Sequence, residues 1–276
     1  MSKTAASKQV SKESPTEPGS PTQSLDRAMC LLEQVVEHSR DGIALTPLST
    51  LAGLSKPTAH RLLVGLRNLG LVDYDASHLY YPGLKLFRMG IASAARFNMV
   101  RLAEAGMPRL AHETQDTVYL SLRSGDNSMC AARVVGSFPI RTLTLNVGDY
   151  RPLGLGAGSL ALLACLPDAE VEGIIERNRV RLADQPNFTP AKLRMLVKRT
   201  REQGYALNEG LMLPEMAAVA KIVRDPLGRG IAALSIAAIT SRMQPKRRET
   251  IVALLSKEAR ALELAFGSKA GQTEDK

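Results

Sequence analysis

Seven residues, SKPTAHR (55–61), gather two hydroxyls, an ammonium, an imidazole and a guanidinium directly ahead of an apolar stripe. Hydroxyl and ammonium groups suit phosphate oxygens and position a partner without reading its sequence. A planar guanidinium can pair with both major-groove acceptors of guanine, a discrimination worth on the order of 1–3 kcal/mol. The groups act together if a helix starts at Ser55, because its unpaired N–H groups then face the same anion. His60 has two readings, a donor to a base or phosphate and an exposed histidine with no task. The second candidate is RPLGLGAGSLALLACL (151–166), in which three glycines alternate before a helix. No Lys-Ser/Thr follows the last glycine and the spacing departs from the dinucleotide fingerprint, so neither phosphate motif applies. Two readings stay open there. Bared N–H groups at a helix N-terminus can receive a carboxylate, or the glycines serve a tight, closely packed strand-to-helix turn.

The elements that must position SKPTAHR follow from local signals. Ser24 caps a helix with apolar residues at Leu25, Ala28, Met29, Leu32, Val35 and Val36, a 3.6-residue stripe that stops near Asp41-Gly42. Ile43–Leu45 is a stub of strand. Thr46 and Pro47 then start a brief helix that Gly53 ends. Ser55 caps a third helix whose inner face is Ala59, Leu62, Leu63, Leu66 and Leu69, closed by Gly70. A short helix, a glycine turn and a longer helix make a helix-turn-helix. Leu71–Tyr74 and Leu79–Tyr81 form a hairpin directly after it, which makes the module a winged helix. Subtracting the buried face leaves Ser55, Lys56, Thr58, His60, Arg61 and Arg67 outside, with Lys56 and Arg67 suited to the DNA backbone and Arg61 to a base.

Composition sets the frame. Apolar residues make up 45% of the 276, enough for a sizeable core, and no run approaches the roughly 18 apolar residues of a membrane span. Residues 1–22, rich in Ser, Thr, Pro, Lys and Glu, carry no secretory signal and are expected to be a disordered tail, as are 269–276. Cys30, Cys130 and Cys165 lie far apart with no metal-ligand spacing, the pattern of reduced thiols in a cytoplasmic protein. The net charge of +9 does not locate a site: residues 24–85 hold six basic and six acidic side chains, and the excess sits in RNRVR (177–181), KRTR (198–201) and KRR (246–248). Such runs are expected to be solvated helix faces.

Past a helical stretch from Gly83 to Phe97, with Leu84, Phe87, Met89 and Ile91 able to carry a helix–helix contact between subunits, the pattern changes. Residues 100–112 are helical. Thr117–Leu122 alternates with Val118, Leu120 and Leu122 on one face, and Met129–Val135 and Arg141–Leu145 read as further strands. Helices are expected at Ser159–Cys165, Asp168–Asn178 and Pro190–Gln203, strands at Ala217–Arg224 and Ile231–Ala238, and a closing helix at Pro245–Phe266. This order suits an α+β sheet domain.

Through QSLDRAMCLLE (23–33), LSTLAGLSKPTAHRLLVGLRNLGLV (48–72) and YYPGLKLFRMG (80–90), the chain resembles the IclR family of bacterial transcription regulators. The resemblance implies an α+β architecture: an N-terminal winged helix-turn-helix (23–83), a linker helix (84–98) and a C-terminal GAF-like antiparallel sheet domain with helices (99–268) that binds an effector. It implies homodimers or tetramers on double-stranded operator DNA, tuned by a small organic acid, with no cofactor, metal or membrane. The residues expected at DNA are Arg27, Ser49, Ser55, Lys56, Thr58, His60, Arg61 and Arg67. Those expected at the effector are Leu155, Ala157, Gly158, Ser159, Asn208, Ala218, Ser235 and Ala237. Departures are clear: Gly154 and Gly156 stand where the family usually has His and Thr or Ser, and Leu160 where it has Lys. Glu215, Ala218 and Ile222 replace its usual Gly, Cys and Pro, Asn208 an Asp, and Ala237 a Ser. A less polar pocket is therefore expected, suited to a larger or more apolar acid such as an aromatic one.

The alternative is a metabolic enzyme acting on a small carboxylate. Three of the four histidines (His38, His60, His78, His112) lie in or beside the first module, and no GxSxG, HExxH or EF-hand pattern occurs. A purely architectural DNA-binding protein would not need a second domain of such size. The chain is expected not to be an enzyme.

Overall fold

The computed structural model describes residues 22–96 and 99–270. The chain divides into two units, residues 1–97 and 98–276. The expected tails fall outside the described residues, except Thr22, which precedes the first helix, and residues 269–270, which belong to the last one.

The first unit runs α1 (Gln23–Glu37), β1 (Ile43–Ala44), α2 (Leu45–Leu51), α3 (Lys56–Asn68), β2 (Val72–Tyr74), β3 (Leu79–Pro82) and α4 (Leu84–Arg96). Its core joins Leu31 and Val35 of α1, Leu48 of α2, Ala59 and Leu63 of α3, and Val72 and Tyr80 of the hairpin. The apolar stripe of α1 is wider than the strip its neighbours cover. Leu25, Met29 and Val36, expected inside, are exposed, and Leu31 is buried instead. Ser24 lies within α1 and Thr46 within α2, so neither is a cap. Leu69 is exposed because α3 ends one residue before it.

Both helices of the helix-turn-helix end the same way. Gly53 N–H donates to Thr50 O and Leu54 N–H to Ser49 O after α2; Gly70 N–H donates to Arg67 O and Leu71 N–H to Leu66 O after α3. This paired closure uses the left-handed backbone that glycine adopts without steric cost, with φ of +63° and +72°. The start of α4 is packed against the second closure. Gly83 N–H donates to Leu71 O, and Lys85 N–H donates to Gly70 O. A Cβ at position 83 would lie 2.4 Å from Gly70 O.

The second unit runs α5 (Met99–Ala103), α6 (Gly106–Thr114), β4 (Thr117–Ser124), β5 (Asn127–Val134), β6 (Tyr150–Pro152), α7 (Ala157–Ala164), α8 (Asp168–Asn178), α9 (Pro190–Gln203), β7 (Ala206–Glu209), β8 (Met216–Arg224), β9 (Gly230–Ile239) and α10 (Pro245–Ala270). The strands make one antiparallel sheet in the order β6-β5-β4-β9-β8-β7. Strand alternation sends Val118, Leu120, Val219, Leu234 and Ile236 to one face, where α5, α6 and α10 cover them. The other face carries Ala220 and Ala233 under α7, α8 and α9, and α7 is buried along its whole length.

Three expectations fail here. The helix expected over 100–112 is broken between α5 and α6, where the Glu258 side chain occupies the space beside Gly106. The edge strands β6 and β7 had no counterpart in the pattern. Arg141–Leu145 is not a strand, because side chains satisfy its carbonyls in place of a ladder. Tyr119 Oη donates to Thr142 O, Arg151 Nη2 to Thr144 O, and Arg133 Nη1 to Leu145 O at 2.7 Å. The Thr142 hydroxyl in turn donates to Ala237 O at 2.8 Å.

Candidate functional site

At the start of α3, Ser55 caps as expected: its Oγ accepts from Thr58 N–H at 3.4 Å and lies 2.8 Å from Thr58 Oγ1. Ser55, Lys56, His60, Arg61 and Arg67 are exposed, and Thr58 is half-buried. Arg67 reaches toward the wing, its guanidinium carbon 5.9 Å from the centroid of the Tyr74 ring. The wing tip is fastened by Asp75 Oδ1, which accepts from the Ser77 and Leu79 N–H groups, and by Tyr74 Oη 2.6 Å from His78 Nδ1. Arg27 is exposed on α1. Ser49 departs from expectation. It is 3% exposed and its hydroxyl donates to Thr46 O at 2.8 Å, so it holds α2 together and presents nothing to a partner.

In the second unit a cavity, partly open to solvent, lies between the sheet and the start of α7. All eight residues expected at the effector line it. Register explains how distant segments converge: Asn208 of β7 pairs with Ala218 of β8, and Ala218 with Ala237 of β9, which sets the three in one row across the sheet. Ser235 sits one step along, opposite Tyr119. Gly158 brings the first turn of α7 onto this floor, since a Cβ there would lie 2.9 Å from Ser121 Oγ and 3.4 Å from Ser235 Oγ. The first N–H groups of α7 have no intrahelical partner, and no side chain caps them. Ser159 lines the cavity, but its hydroxyl is taken up by the turn, donating to Pro152 O at 2.9 Å and accepting from Gly154 N–H at 3.1 Å. The glycine run is therefore a tight, closely packed turn, and its residues line the cavity.

Sequence reasoning missed the cavity residues that β4, β5 and β6 supply, among them Tyr119, Ser121, Ser128 and Arg151. They add polar groups to Ser159, Asn208 and Ser235, so the cavity is richer in them than expected. Burial raises the Tyr119 pKa. Arg151, opposite Ser128 in the β5–β6 pair, holds Thr144 O with Nη2 and has Met212 Sδ 3.4 Å from Nη1. Desolvation lowers its pKa; Tyr119 and Asp149 oppose the shift. Among the described residues no carboxylate forms an ion pair with it, and Asp149 accepts from Asn146 N–H at 2.6 Å.

None of the three cysteines is in a disulfide, and burial pushes Cys130 up to about 11. Among the described residues no group of three or more His, Cys, Asp or Glu could hold a metal, and no helix is long and apolar enough to cross a membrane.

Two family models match this chain. The IclR helix-turn-helix domain covers residues 24–76, and the C-terminal domain of bacterial transcriptional regulator IclR covers 91–264. The HTH-type transcriptional regulator XynR of Escherichia coli (strain K12) is 28% identical over 252 residues, 89% of this chain and 97% of the relative. The HTH-type transcriptional regulator KipR of Bacillus subtilis (strain 168) is 25% identical over 248 residues, 90% of this chain and 96% of the relative. The crystal structure of an IclR homolog complexed with 4-hydroxybenzoate, from Microbacterium hydrocarbonoxydans, shares the fold, with a TM-score of 0.73. It is 20% identical, and the match covers 87% of this chain and 98% of that one. These relatives are regulators, and the enzyme alternative finds no support among them. The chain belongs to the IclR family of bacterial transcriptional regulators, with a helix-turn-helix DNA-binding domain and an effector-binding domain.

Proposed function

We propose that the exposed edge of α3 reads double-stranded operator DNA in the cytoplasm, and that an organic acid with an apolar or aromatic body, held in the cavity, modulates that binding. The DNA half is supported by the helix start at Ser55 and by the exposed Lys56, His60, Arg61 and Arg67, with the exposed Arg27 of α1 as a backbone contact. The effector half is carried by one observation: eight residues from four stretches of sequence line a single cavity floored by the sheet and closed by the start of α7. The homolog that holds 4-hydroxybenzoate supports an aromatic acid as the ligand class. Leu84, Phe87 and Ile91 recur at helical spacing on α4 and are 70%, 66% and 57% exposed, which favours a second copy of the chain as their partner. A dimer doubles the bases read, which a single winged helix needs against genomic competitors.

Recovery of bound DNA across the genome, followed by binding to the recovered operators, tests this reading. Arg61→Ala is expected to weaken specific binding by about 1–3 kcal/mol and to relax preference at one base pair. An unchanged site preference would remove Arg61 from the reading set. Saturating ligand is expected to change operator affinity, because it can shift the DNA-binding arrangement only through different affinities for two states. Operator affinity that stays constant with every ligand shown to bind would refute the coupling.

A further inference from the structure

Arg151 is the cation of the cavity that the protein leaves least well matched. Its guanidinium offers five N–H donors in a rigid fork. The described protein partners are Thr144 O on Nη2 and a thioether sulfur, 3.4 Å away, on Nη1. A thioether is a weak acceptor. No carboxylate pairs with the group, although the surroundings are dry enough to draw its pKa down. Other arginines of this unit are paired with carboxylates, as in Arg177 with Asp126 and Arg194 with Glu172. Position adds to chemistry. Nη1 lies 3.4 Å from where a Cβ of Gly156 would be, and Gly156 is the residue at which α7 begins. A guanidinium and the positive end of a helix thus share one part of a cavity that the apolar Ala218 and Ala237 also line.

We infer that Arg151 selects the cavity's ligand for a carboxylate, with Nη1 exchanging the Met212 thioether for a carboxylate oxygen. The inference rests on the reading of this cavity as an effector site and adds to it the residue that sets ligand class. The carboxylate lies at the Arg151–Gly156 corner and the apolar body over the alanines. Met212 belongs to the loop between β7 and β8, so the exchange releases that loop from β6. Nη2 keeps its hold on Thr144 O.

Calorimetry on the full chain with 4-hydroxybenzoate and 4-hydroxybenzamide tests this, since the pair differs in charge and hardly in shape. The wild-type chain is expected to bind the acid at least about tenfold more tightly than the amide. In Arg151→Met the acid should weaken by about tenfold to a hundredfold while the amide moves less than about threefold. Arg151→Lys, which keeps the charge and loses the fork, should fall between them. Amide binding by the variants reports that the cavity is intact, so a merely misfolded variant is recognised by loss of both ligands, and the lysine variant then decides the outcome. An acid-to-amide ratio unchanged by both substitutions overturns the role of Arg151. Equal binding of acid and amide by the wild type overturns it too, yet leaves the effector cavity standing. Binding of neither probe, nor of other monocarboxylates at millimolar concentration, defeats the cavity reading itself.

Discussion

Asp116→Ala is expected to lower the stability of the second unit by about 3 kcal/mol, the low end of the cost of removing one partner from a buried ion pair. The carboxylate is 4% exposed and takes Arg242 Nε at 3.0 Å on one oxygen and Arg247 Nη2 at 2.7 Å on the other. Both arginines also donate to Thr114 O, which ties the end of α6 to the start of α10. Arg242 stacks on Phe138 with its guanidinium carbon 3.8 Å from the ring centroid, so the same carboxylate secures the segment that runs on to Thr144 at the cavity. Removing it leaves two cations with no counter-charge. Arg247, 31% exposed, can turn toward water, which keeps the loss near the low end. Urea unfolding followed by circular dichroism checks the figure, and Asp116→Asn should fall between wild type and alanine because one acceptor survives. A midpoint that does not move in either variant would mean the arginines find equivalent partners elsewhere.

Leu63→Ala should cost the first unit about 2–5 kcal/mol and, with it, operator binding. Leu63 is fully buried on the inner side of α3, in a cluster with Leu31, Val35, Leu48 and Val72. A unit of this size has only modest stability to lose. The expected pattern separates support from recognition: Leu63→Ala shifts the unfolding transition and weakens every operator alike. Arg61→Ala leaves the transition in place and alters preference among operators. If Leu63→Ala left unfolding unchanged, the core assignment for this unit would be wrong.

Much of the first unit was legible because its signals are local. Ser55, Pro57 and Gly70 mark the two ends of α3 within fifteen residues of one another, roughly the span a helix-boundary reading needs. Burial was less legible. Leu25, Met29 and Leu69 fit the apolar period, yet whether a neighbour covers them depends on packing that the period does not contain. In the second unit, β6 and β7 escaped notice as edge strands of three and four residues, too short to show alternation. Arg141–Leu145 misled for the opposite reason: it alternates, but its carbonyls are met by Tyr119, Arg133 and Arg151. The effector set named from family resemblance lines one cavity, and strand register accounts for the Asn208–Ala218–Ala237 row. Arg151 had no such signal. An arginine beside a proline and a tyrosine reads as a surface charge, and only pairing with β5 turns it toward the cavity. Tyr119 and Ser121 carried a weak one, as the polar alternates of the apolar Val118 and Leu120.

The backbone of Gly83 rests on the carbonyl of Gly70, with two hydrogen bonds across the junction and no room for a methyl group. This makes the last turn of α3 and the first turn of α4 a welded joint, without slack to absorb strain. Any rotation of the first turn of α4 must therefore either carry the end of α3 with it or break these two hydrogen bonds.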